Sequence, residues 1–94
     1  MHIFTLLDTC TKKPGKVFLT ENDEDALRQF QDVINMAEKG SLFFSHPEHF
    51  DLVKLGQFDE KKCEIISTER EVLANGSEVH NGGLVDLAAA PANV

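Results

Sequence analysis

Residues 20–40 read Thr20-Glu21-Asn22-Asp23-Glu24-Asp25-Ala26-Leu27-Arg28-Gln29-Phe30-Gln31-Asp32-Val33-Ile34-Asn35-Met36-Ala37-Glu38-Lys39-Gly40. Thr20 and Asn22 offer side-chain oxygens to free backbone N–H groups at a helix start. Asp23, Glu24 and Asp25 place negative charge where the helix dipole is positive. Ala26, Leu27, Phe30, Val33, Ile34 and Ala37 recur at helical spacing and form one apolar stripe. Lys39 and Gly40 supply a C-terminal cation and a left-handed stop. The pattern predicts a helix over about residues 22–38.

Strand signals flank this segment. Ile3, Phe4, Leu6 and Leu7 predict a strand near residues 2–8. Pro14-Gly15 has turn chemistry, and Val17-Phe18-Leu19 reads as the returning arm, near 16–19. Beyond the helix, Pro47 forces His46 out of helical space, so residues 45–50 predict a turn or one tight helical turn. Residues 51–58 and 63–68 read as a local antiparallel pair around the polar loop 59–62. Gly56 inside the first of these marks a bulge or a close neighbour. Residues 69–74 are ambiguous between strand and turn, and Asn75-Gly76 signals a turn. The expected fold class is therefore α+β: a small antiparallel β-sheet packed on one main α-helix. Residues 1–76 form the single expected domain and 77–94 a flexible C-terminal tail. Within that tail, Leu84, Val85 and Leu87 are either a short docking motif for a protein partner or plain tail.

The chain has 94 residues and a formal net charge of -7. A domain of this size buries only about 60–65% of its unfolded surface, so its core is thin. No apolar run approaches the ~20 residues of a membrane helix, and the first residues lack the basic and long apolar parts of a signal peptide. Membrane partners are not expected. Cys10 and Cys63 are expected as reduced thiols, a disulfide being the minority reading, and no CxxC pair suggests zinc or redox chemistry. The charge is uneven: Lys12, Lys13 and Lys16 precede a strongly acidic middle.

The run from Phe44 to Asp59 contains His46-Pro47-Glu48 and, at a fixed distance, Gly56-Gln57-Phe58-Asp59. Together with Ala26-Leu27-Arg28-Gln29-Phe30 upstream, it resembles the small nonstructural protein family of gokushoviruses (Microviridae), bacteriophages with single-stranded DNA genomes. The resemblance covers roughly residues 1–75. It departs at Lys61-Lys62-Cys63, where the family often has a glycine near the turn. The resemblance implies a nonstructural protein of the host cell cytoplasm, outside the virion and without catalytic activity. It implies a regulatory or adaptor role in phage DNA replication or in the switch to single-stranded genome synthesis and packaging. A phage or host replication protein or the procapsid would be the partner.

Read from the residues, two surfaces compete. Lys12, Lys13, Lys16, Lys54, Lys61 and Lys62 sit on or beside two loops and would bind single-stranded DNA if both loops project from one end of the sheet. Glu21, Asp23, Glu24, Asp25, Asp32 and Glu38 would instead present a negative face to a basic protein partner. His46, Glu48 and His49 lie within four residues, but the sequence supplies no further convergent ligand, so neither a metal nor another cofactor is expected. No catalytic residues are expected either, because Ser45-His46 lacks an orienting acid and an oxyanion loop. Exposed sheet edges on a thin core predict a homo-oligomer, most simply a dimer.

Overall fold

The computed structural model describes residues 1–80. Four strands, β1 (His2–Asp8), β2 (Lys13–Thr20), β3 (Phe50–Asp59) and β4 (Glu64–Asn75), form one antiparallel sheet in the order β2-β1-β3-β4. Between β2 and β3 run α1 (Asp23–Asn35), α2 (Leu42–Ser45) and a 3-10 turn (Pro47–His49), and α3 (Gly76–Val79) follows β4. Both β2 and β3 are antiparallel to β1, so they run in the same direction with β1 between them. The helical segment is the crossover that joins them.

This architecture overturns the expectation of a small sheet on one main helix. The sheet is the body of the protein, and its strands reach 8, 10 and 12 residues in β2, β3 and β4. The helical residues are divided among short pieces, and no single helix covers the sheet. The helix predicted over 22–38 closes at Asn35, where Met36 caps it by donating its N–H to the Asp32 carbonyl. Pro14-Gly15 is not the turn. Both residues lie inside β2, an edge strand where the missing N–H of Pro14 is tolerated beside a register shift. Residues 69–74 are strand, continuing β4 far past 68. Asn75-Gly76 is a helix start: Asn75 caps α3 while Glu78 reaches back to the Asn75 N–H at 2.8 Å, a reciprocal capping box.

One core joins these pieces. Phe4, Leu52 and Ala74 from the strands, Ala26, Leu27, Phe30 and Ile34 from α1, Phe50 and Val79 form a single buried cluster. Val79, assigned to the tail by the sequence pattern, is fully buried. The remaining tail, including Leu84, Val85 and Leu87, lies outside the described residues. Burying Phe30 or Phe4 contributes roughly 2–3 kcal/mol each by area. Asn22 accepts from the Asp25 N–H at 2.8 Å and caps α1 as expected. The sheet face away from α1 carries an uncharged row across all four strands: Val17, Thr5, Val53 and Val72 are cross-strand partners in turn. Val17 and Val72 on its flanks are half exposed.

The two hairpins share a loop. In each, an Asp closes the strand, and its carboxylate accepts from the N–H groups two and three residues on. These are Cys10 and Thr11 for Asp8, and Lys61 and Lys62 for Asp59. The fourth residue on, Lys12 or Cys63, then takes the left-handed conformation at φ 60° or 56°. Cys63 thus fills a position that a glycine occupies without strain. Gly56 has the close neighbour its position in a strand suggested: a Cβ there would strike the Ile66 carbonyl of β4.

Candidate functional site

The crossover leaves a groove between the β1–β2 hairpin and α1. Its volume is about 480 Å³. Leu6 and Phe18 supply the sheet side, Phe30 and Val33 the helix side, and Phe43 and Phe50 one end. Phe43 and Phe50 pack with ring centroids 4.3 Å apart, so α2 is held to the start of β3 by an aromatic pair. Val33 belongs to the predicted core stripe, yet it is 39% exposed because it faces this groove. Lys13, Lys16, Asp8 and Gln29 stand around the apolar lining. No sequence motif announced the groove, since its walls come from separate elements brought together by the crossover.

The six lysines do not converge. Lys12 and Lys13 lie at the end of β1 marked by the Asp8–Lys13 pair. Lys61 and Lys62 follow β3 at the opposite end, where the Phe58 N–H donates to the Met1 carbonyl at 2.8 Å. A strand of this length separates the two loops by roughly 20 Å. Lys54 is on the helix side of the sheet and pairs with Asp23 at 3.1 Å. That ion pair removes Asp23 from the free acidic surface as well. Asp25 lies 3.8 Å from Arg28, while Glu21, Glu24, Asp32 and Glu38 are exposed. Only Lys13 and Lys16 of the six border the groove.

A second cluster forms at the 3-10 turn. His46 Nδ1 lies 3.2 Å and His49 Nε2 3.5 Å from the same Glu48 carboxylate oxygen. The two imidazoles stack at 4.7 Å. The Glu48 carboxyl is held below its ordinary pKa, first by a hydrogen bond from its own backbone N–H and then by the two histidines. Cys10 and Cys63 are free and exposed. Among the described residues no helix is long and apolar enough to cross a membrane.

The described residues thus combine one antiparallel sheet, an apolar groove with charged residues at its rim, and exposed apolar side chains. The protein's family is a phage family: the model of the Phage ORF5 protein family matches residues 1–79, and the chain belongs to it. No curated protein and no solved structure gives a significant match.

Proposed function

We propose that this phage protein is a non-enzymatic, nonstructural regulator or adaptor of the gokushovirus type. It acts in the host cytoplasm, in viral DNA replication or the switch to single-stranded genome synthesis and packaging, through protein–protein contacts. The groove carries the reading. An apolar recess of about 480 Å³ lined by Phe18, Phe30, Phe43 and Phe50 suits one or two bulky apolar side chains of a partner, the usual anchors of a protein interface. Glu24 and Asp32 on the same helix, with Glu21 just ahead of its cap, favour a basic partner, such as a replication enzyme that otherwise grips DNA.

Lys13 and Lys16 beside the groove favour a second reading, in which it takes bases of single-stranded DNA on Phe18 and Phe43 with phosphates on the lysines. One experiment separates the two. Labelled single-stranded DNA is titrated at low and moderate salt against wild type, Phe43→Ala and the Lys12/Lys13/Lys16 triple alanine variant, and each protein is used as bait in infected-cell extract. The adaptor reading expects no DNA binding and a captured phage or replication protein that Phe43→Ala loses and the triple variant keeps. Salt-sensitive DNA binding lost in the triple variant overturns it in favour of the DNA reading.

Self-association fits the far face of the sheet, where a second copy would cover Val17 and Val72, the half-exposed flanks of the uncharged row whose centre, Thr5 and Val53, is already buried. Sedimentation equilibrium at tens of micromolar should give a dimer that Val17→Lys converts to monomer. A wild-type monomer refutes the dimer.

A further inference from the structure

We propose that His46, Glu48 and His49 form a surface site for a divalent transition-metal ion of the zinc class. Two imidazole nitrogens and one carboxylate oxygen make a borderline donor set, which suits Zn²⁺, Ni²⁺ or Cu²⁺ and not Mg²⁺ or Ca²⁺. The ligand atoms of the three residues all lie within 4.8 Å of one another. The 3-10 turn causes this. The His49 N–H closes the turn on the His46 carbonyl at 3.0 Å, which stacks the two imidazoles 4.7 Å apart with the Glu48 carboxylate in reach of both. Capture of an ion at about 2.0–2.2 Å then needs only rotation of exposed side chains.

The backbone under the ligands is fixed from three sides. The Thr9 N–H and Oγ1 both donate to the His49 carbonyl, at 2.8 and 3.0 Å. Asn75 Nδ2 donates to the Glu48 carbonyl at 2.8 Å. Gly76 packs so closely on the Pro47 carbonyl that a Cβ there would collide with it. A frame tied to the end of β1 and the junction of β4 and α3 holds the three ligands together before any ion arrives. The fixed frame lowers the ordering cost of binding. Three protein ligands leave positions for water or for a donor from a partner molecule. The sequence places the three residues within four positions; the long-range pinning of the turn is not written in it.

The test uses protein without a polyhistidine tag. Zn²⁺ is titrated by calorimetry and Co²⁺ by its visible absorption, against wild type, His46→Ala, Glu48→Gln, His49→Ala and the control His80→Ala. Circular dichroism confirms that each is folded, and Glu48→Gln keeps the side-chain shape. The site expects one ion per chain with a Kd near or below about 10 μM, weakened at least about tenfold by each cluster substitution and unchanged in His80→Ala. Absence of binding at millimolar metal, or binding that survives any of the three substitutions, overturns it.

Discussion

The β1–β2 and β3–β4 hairpins turn on the same loop but end in different surroundings. Asp8 and Asp59 hold two backbone N–H groups each, and Lys12 and Cys63 occupy equivalent left-handed positions. Beside the first loop stand the groove, the aromatic pair and the pinned 3-10 turn. Beside the second, β3 and β4 run on as a ribbon whose Glu64–Val72 side chains are all exposed, Ile65 at 73%. Identical local chemistry therefore makes one loop part of a candidate site and leaves the other at the tip of a bare ribbon. The crossover segment makes the difference, because it spans β1 from Thr20, opposite His2, to Phe50, opposite Asp8, and leaves Glu64–Val72 of β4 bare.

The sharpest way to break this comparison is to weaken each end. Phe30→Ala, on the buried side of the crossover helix, should cost about 3–5 kcal/mol in chemical denaturation, enough to unfold a domain this small. Ile65→Ala on the ribbon should change stability by less than about 0.5 kcal/mol. Comparable losses would mean that the ribbon is covered in solution, which would locate the self-association surface there.

Gly76→Ala comes next. Its methyl must displace the Pro47 carbonyl and press on Ile34, so a loss of roughly 1–3 kcal/mol is expected, with loss of any metal binding at the turn. A neutral effect would show that the 3-10 turn is not pinned. Lys12→Gly and Cys63→Gly sharpen the likeness of the two loops. Each relieves a side chain held at positive φ and should raise stability by several tenths to about 1 kcal/mol. Equal gains confirm a local origin, and a gain at only one loop breaks the equivalence.

The smallest effect concerns Glu48. Its carboxyl titrates below the usual value in the folded protein, so its contribution is present above the unfolded-state pKa and fades as pH falls through the folded one. Wild type should therefore be more stable than Glu48→Gln at neutral pH, and the two denaturation curves should converge in acid. A gap that persists at low pH would assign the difference to something other than the charge.

Much of the local structure was legible in residue order. The Asn22 cap, the acidic first turn and the Leu27, Phe30 and Ile34 stripe appear as read, as do the first strand, the tight turn at Pro47 and the close contact at Gly56. The extent of the sheet was not legible. Edge strands with solvated side chains need no apolar alternation, so Lys13–Gly15 look like loop and Glu69–Glu71 stay ambiguous until a neighbour supplies their hydrogen bonds. The candidate sites were legible only as parts. His46, Glu48 and His49 are near in sequence, but Thr9 and Asn75 fix them from 40 and 27 residues away (counted from His49 and Glu48). The lysines suggested one basic end because sequence does not say which loops share an end of a sheet.

The amino-acid order determined where α1 starts and that the chain turns tightly at Pro47, because caps, dipole charges and proline constraints act within a few residues. It also made Asp8 and Asp59 competent to close hairpins. Only the tertiary structure decided that β3 pairs with β1 on the side away from β2, which sends the crossover along the length of β1. That choice rests on joint burial of Phe4, Phe30, Leu52 and Val79, and no local stretch contains the atoms that make it.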